Sequence, residues 1–359
     1  MNFIVQRASQ FFRCSVVFLF SMSPFWLHAQ SSPHAIIRGK VVDDSTGAPL
    51  PLTNVFVANS TIGASADAEG RFVLKGVPLG EQQIVASIVG YVLETRTLRL
   101  TDTITYEVDF GLRPRELQIP EILVEAKDPV EWKKHLQRFM DSFFGAGNNA
   151  AQCKLMNPQV LDFQIDEQND RFTATAREPL VIENRALGYR TMYILRRYLE
   201  SPQLLQYVGV ARFEEFRPRD EQESMRWKEN RRKVYYGSRR HFLSALIRKT
   251  WREDGFEVNS IRKTPARMAL MWRSGYEVDA DTLLRPGRVP YERVLSFEGM
   301  LQVIYNQGRR QEFSLIQLNQ PAVTIYASGL VENPLKMVTQ GYWSIQRAAD
   351  LLPTDYEPE

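Results

Sequence analysis

Between residues 36 and 112 apolar and polar positions alternate in short runs. Gly, Pro, Asp and Asn interrupt them roughly every eight to twelve residues, the spacing of an all-β sandwich. The alternation predicts strands over Ile37–Val42, Val55–Val57, Arg71–Leu74, Gln83–Ile88, Thr95–Leu100 and Thr105–Phe110. Asp43-Asp44-Ser45-Thr46-Gly47-Ala48-Pro49 and Ala66-Asp67-Ala68-Glu69-Gly70 read as the turns between them.

The pattern then changes period. Asp128 as N-cap and Pro129 at the first position open a helix, Trp132, Leu136, Phe139 and Phe143 share one face, and Gly145 closes it. Strand-like runs follow over Val160–Ile165, Phe172–Ala176, Leu180–Glu183, Arg190–Leu199 and Leu204–Phe216, with Asp166–Asp170 as a hairpin tip. A second helix is predicted from Ser238, its N-cap, to Asp254-Gly255. Strands resume over Arg293–Tyr305, Phe313–Leu318 and Ala322–Tyr326. Strands, helices, strands is the order of an α+β domain, or of a second sandwich or partial barrel carrying helices.

The first 29 residues stand apart. Arg7 and Arg13 precede an apolar run from Cys14 to Trp26, and Leu27-His28-Ala29 offers a small residue before a cleavage point at Gln30. That is the layout of a secretory signal peptide, and the run falls short of the ~20 residues a spanning helix needs. No later stretch reaches spanning length. The expected product is exported, periplasmic or outer-membrane associated, without a transmembrane span. Losing Cys14 leaves Cys153 alone, so no intrachain disulfide is expected in the exported chain.

The front segment carries an ordered set of motifs. Gly39, Val41, Asp43, Thr46, Gly47, Pro49 and Leu50 form the first. Asn54, Val55, Val57, Thr61 and Gly63 follow, then Asp67, Gly70 and Phe72, and then Gly80, Ile84, Ser87, Gly90 and Tyr91. This run resembles the carboxypeptidase-like regulatory domain. The resemblance implies a transthyretin-like sandwich, similar to carbohydrate-binding-like modules and common in exported proteins of Bacteroidetes-type bacteria. It implies no peptidase. Zinc carboxypeptidases need two His and a carboxylate on the metal. His34, His135 and His241 are the histidines beyond the leader, and none sits in H-x-x-E or H-E-x-x-H. Asp43, Asp44 and Asp67 read as turn formers rather than a calcium site. No cofactor is expected.

The organisation expected is a signal peptide over 1–29, the sandwich over 36–112, a linker strand over 113–127, and a larger domain over 128–359 with a basic helical segment at 220–254. Ile119–Ala126 resembles the segment that leads into the plug of outer-membrane transporters, but the remaining length is too short for plug and barrel together. The fold class is mainly β, or α+β: a transthyretin-like sandwich followed by a β-rich domain with inserted helices.

Charge sharpens one region only. The chain has 45 Lys+Arg against 42 Asp+Glu, a balance that argues against a nucleic-acid partner. Residues 226–252 nevertheless hold ten Lys+Arg and one acid, Glu229. Without the leader and this block, the remainder carries a net charge of −8. Such a block suits an anionic glycan, a lipid headgroup or an outer-membrane protein, unless it is simply a solvated face neutralised by acidic loops such as Asp220–Glu223. Arg231, Arg232, His241, Arg248, Lys249 and Arg252 are the candidate contacts, with His241, Arg248 and Arg252 expected on one outer face. Ser238 with His241 reads as a helix cap beside a surface histidine, and no G-x-S-x-G elbow is present. Cys153 with His135 is a weak nucleophile pair. The expected function is a non-catalytic cell-envelope binding protein. The alternative is an envelope hydrolase acting on peptides or glycans, with a site assembled in the larger domain.

Overall fold

A computed structural model describes residues 34–115, 129–261, 276–289, 292–308 and 310–358. The expected leader and residues 116–127 of the expected linker lie outside the described residues.

The front part is a two-sheet sandwich. One sheet centres on β1 (His34–Asp43), paired antiparallel with β4 (Arg71–Pro78) and parallel with β7 (Thr105–Glu107) and β8 (Phe110–Leu112). The other runs β3 (Gly63–Ser65), β2 (Asn54–Val57), β5 (Gly80–Ser87) and β6 (Glu94–Leu100). Ile37, Val41, Val55, Phe72, Ile84 and Phe110 close the core between them. The expected strand Thr105–Phe110 is two strands. It breaks because Val108 donates to the Arg38 carbonyl at 2.9 Å, and Asp109 accepts from the Lys40 amide at 2.7 Å. Gly39 permits this approach, since a Cβ there would lie 1.9 Å from the Val108 oxygen. Asp43 closes its turn by accepting from the Ser45 and Thr46 amides, both at 2.9 Å, and from the Tyr91 hydroxyl at 2.9 Å. These donors hold its carboxyl well below the usual carboxylate range, led by the Ser45 hydroxyl.

The larger part is β-rich with helices inserted. Helix α1 (Pro129–Phe144) packs buried Phe139 and Phe143 against a six-stranded sheet. That sheet runs β10 (Leu161–Asp166), β11 (Arg171–Ala176), β13 (Tyr189–Ser201), β12 (Leu180–Asn184) and β9 (Cys153–Leu155), with β14 (Leu204–Glu215) also on β13. Helices α2 (Glu221–Tyr235) and α3 (Arg239–Arg248) follow. A second sheet runs β16 (Tyr276–Glu277), β15 (Phe256–Ile261), β19 (Met300–Gln307), β20 (Arg310–Leu318) and β22 (Met337–Gly341). A small one joins β17 (Leu284–Pro286), β18 (Glu292–Leu295) and β21 (Val323–Tyr326).

Two expectations here need correction. The run Arg293–Tyr305 is split between β18 and β19, which belong to different sheets, and Gly299 at φ 77° turns the chain just before β19. The helix from Ser238 ends at Arg248 and not at Asp254-Gly255. Lys249 takes the left-handed conformation at φ 61°, and the Thr250 amide bonds back to the Ala245 carbonyl at 2.9 Å. This turns Trp251 inward, where it is 2% exposed.

The sandwich is fastened to the larger part. Phe56 and Val85 bury against Ile194 and Val210. Asn59 donates its amide to the Ala211 carbonyl at 2.7 Å and accepts from the Ala211 amide at 3.0 Å. The Ser60 carbonyl accepts from the Phe213 amide at 2.9 Å. Backbone groups of the two parts thus satisfy one another, with the Asn59 side-chain Oδ1 accepting from the Ala211 amide.

Candidate functional site

Three cations of the basic block, Arg226, Arg231 and Arg240, are tied into the fold by specific partners. Asp220 caps α2 by accepting from the Glu223 amide at 2.7 Å, and Glu223 pairs with Arg219 and Arg226. Trp227, Asn230 and Arg231 project toward the β12–β13 turn. They donate to the carbonyls of Arg185 (2.9 Å), Ala186 (2.9 Å) and Leu187 (2.8 Å). Gly188, at φ 73°, leaves the room, because a Cβ there would lie 2.4 Å from the Trp227 ring. Arg240 donates to the carbonyls of Ser328, Pro353, Thr354 and Tyr356, at 3.1, 2.6, 2.6 and 2.9 Å. One guanidinium therefore holds the C-terminal segment onto α3.

The six candidate contacts separate into three groups. His241 is a buried residue, 2% exposed, which corrects the expectation of a surface histidine beside Arg248 and Arg252. Its Nδ1 accepts from the Gly237 amide at 3.1 Å, and its Nε2 faces Asp254 at 3.6 Å. Phe256, Tyr235, Tyr236 and Tyr305 surround the ring. Burial lowers its pKa to about 4, against the pull of Asp254, so the ring is neutral near pH 7. The expected capping role of Ser238 is present: its hydroxyl accepts from the His241 amide at 3.1 Å.

Arg248, Lys249 and Arg252 are exposed around the end of α3. Arg248 lies 3.5 Å from Asp254, and Arg252 lies 3.4 Å from Asp279 while stacking 4.0 Å over Trp251. Both pairs are half-exposed and long, so each contributes at most about 1 kcal/mol.

Arg231 and Arg232 border a cleft of about 500 Å³. Arg231 is buried, pairs with Glu215 at 3.0 Å and lies 4.0 Å over the Tyr189 ring. Met225, Lys228 and Glu229 line the cleft from α2, and Arg232 joins them one turn further on. Thr61 of the sandwich and Asp355, Tyr356 and Glu357 of the C-terminal segment line it as well. The Asp355 carboxylate accepts from both the amide and the hydroxyl of Thr61. Sequence reasoning found the two arginines through the charge run. It missed Tyr189 and the C-terminal residues, which are far apart in the chain and carry no local motif.

Other groups of chemical interest have structural surroundings. The Cys153 thiol is pushed up to about 12, chiefly by burial, which keeps it a thiol. His135 packs against Phe163 and Phe172. Among the described residues, no helix is long and apolar enough to cross a membrane.

Comparison with known proteins reaches the front part. Residues 37–124 match the family described as CarboxypepD_reg-like domain. No curated protein matches the chain. Among solved structures, 3-chlorocatechol 1,2-dioxygenase from Rhodococcus opacus is 16% identical over 24% of this chain and 62% of its own, with a TM-score of 0.20. The match spans less than two thirds of that protein. The 5-hydroxyisourate hydrolase of Klebsiella pneumoniae is 15% identical over 22% of this chain and 90% of its own, with a TM-score of 0.19. A carbohydrate-binding protein candidate from Bacteroides uniformis is 8% identical over 82% of this chain and 99% of its own, at 0.20. Scores this low carry no argument about what the chain does.

Proposed function

We propose, from the premise that residues 37–124 are a CarboxypepD_reg-like domain, that the chain is an exported, non-catalytic cell-envelope protein. It holds an envelope glycan, lipid headgroup or protein partner in the cleft between the sandwich, α2 and the C-terminal segment. The observation that carries this reading is the cleft itself. At about 500 Å³ it has the size of a ligand site, and it gathers Arg231, Arg232 and two tyrosines from separate parts of the chain. Arg232 makes the contact, and Arg231 holds the floor in place. Arg248, Lys249 and Arg252 add long-range attraction for an anionic envelope surface, and the buried, neutral His241 takes no direct part. The leader over 1–29 supports export, and the 113–127 linker joins the two units.

Retention of the purified chain on sacculi and on anionic lipid vesicles tests this. Arg232→Glu is expected to lower retention about tenfold, the size of one lost charged hydrogen bond. The triple reversal of Arg248, Lys249 and Arg252 is expected to lower it less, and only at low salt. Equal retention of the parent and Arg232→Glu would overturn the reading.

A further inference from the structure

The lining of the cleft is divided by charge. Along α2, Lys228 and Arg232 sit four residues apart on the lining face. The C-terminal segment contributes Asp355 and Glu357. Most charged groups in the lining already have partners: Arg231 with Glu215, Glu229 with Lys233, and Asp355 with Thr61. Arg232 and Glu357 have neither an ion pair nor a side-chain hydrogen bond among the described residues, and both are exposed. Arg232 of α2 and Glu357 of the C-terminal segment are thus the cation and the anion that the cleft presents without an ion pair, Glu357 also acting on the Arg240 guanidinium; Tyr356 lies partly exposed in the lining, and Tyr189 is buried beneath Arg231.

The chemistry of such a site selects its ligand. A polyanion reaching Arg232 would meet Glu357, Asp355 and Glu229. A neutral ligand filling the cleft would strip water from two ionised groups and return no charge to either. A ligand with a carboxylate at one end and an ammonium at the other satisfies both. Its middle needs only a peptide-sized, weakly polar body to lie against Tyr356. We infer that the cleft takes a short free-ended peptide, its carboxylate on Arg232 and its amino group on Glu357. The inference rests on the cleft being the binding site, and it narrows the partner to a zwitterionic peptide.

The probes are trialanine with free ends, N-acetyl-trialanine and trialanine amide, titrated into the purified chain and followed by calorimetry. Saturable binding of the free-ended form is expected, with each blocked form about tenfold weaker. In Arg232→Gln the amide is expected to bind as well as the free acid, while the penalty for N-acetylation remains. In Glu357→Gln the pattern is expected to reverse. Both side chains are exposed, so both variants are expected to melt within about 2 °C of the parent. Equal binding of free and blocked forms, no saturable binding of any form, or discrimination unchanged in both variants would each overturn the inference. Should that happen while retention on envelope material still depends on Arg232, the ligand class fails and the binding reading stands.

Discussion

Arg231 lies 4.0 Å over the ring of Tyr189 while pairing with Glu215 and donating to the Leu187 carbonyl. Through this one side chain α2 is joined to the β12–β13 turn and to the end of β14. Removing it leaves the Leu187 carbonyl without this donor and opens space beside a buried ring, while the half-exposed Glu215 keeps solvent and its hydrogen bond with Tyr189. Arg231→Ala is expected to cost about 2 kcal/mol, from the lost carbonyl hydrogen bond and the lost stacking on Tyr189. Arg231→Lys is expected to recover part of that, since an ammonium keeps the charge and loses the planar stack. Urea denaturation of the two variants checks both values.

Arg240 plays the corresponding part for the C-terminal segment. It is directed at four carbonyls, three of them between Pro353 and Tyr356. Arg240→Ala is expected to raise hydrogen exchange at Thr354, whose amide donates to the Asn59 carbonyl at 2.7 Å, by more than tenfold. The strands of the six-stranded sheet are expected to keep their protection. Unchanged exchange at Thr354 would contradict the clamp.

Titration of His241 gives a pH dependence with a definite sign. Its folded pKa is lowered from 6.5 to about 4. Between these values the unfolded chain binds a proton that the folded chain does not, so stability falls as pH drops from about 6.5 to 4 and levels off below. The full effect is about 3 kcal/mol. Asp254, facing the ring at 3.6 Å, opposes the shift, and Arg248 reinforces it. His241→Gln is expected to flatten this part of the stability profile, read as midpoint against pH.

The left-handed Lys249, at φ 61°, is a point of backbone cost. Lys249→Gly removes the Cβ penalty and is expected to raise stability by about 1 kcal/mol. A lower melting temperature would contradict this.

The junction of Phe56 with Ile194 and Val210 bears on cooperativity. Val210→Asp places an unpaired charge in that contact. It is expected to turn one calorimetric transition into two, with the sandwich unfolding separately. A single transition shifted in temperature would mean that the two units stay coupled through other contacts.

The legible parts of the fold were those written in local pattern. The alternation of Ile37, Val41 and their neighbours, the Asp-Gly turns, and the Phe139–Phe143 stripe of α1 needed no distant partner. Strand breaks were less visible. The interruption at Val108–Asp109 depends on hydrogen bonds to Arg38 and Lys40, some 70 residues away. The end of α3 depends on Lys249 adopting a conformation that nothing in its residue type announces. His241 was misplaced because it does share a face of α3 with Arg248, but Tyr235, Tyr236, Phe256 and Tyr305, all outside that helix, cover its end of the face. The charge run at 226–252 marked the right segment. It did not show which cations are spent on carbonyls, because their acceptors at Leu187 and Pro353–Tyr356 lie outside any window read around them.

Hydrogen exchange of the chain on envelope material, against the free chain, locates the contact directly. The account predicts slowed exchange in two separate segments, residues 225–232 of α2 and 353–357 near the C-terminus, which line one cleft. Protection confined to the strands of the sandwich, or to residues 248–252 alone, would contradict it.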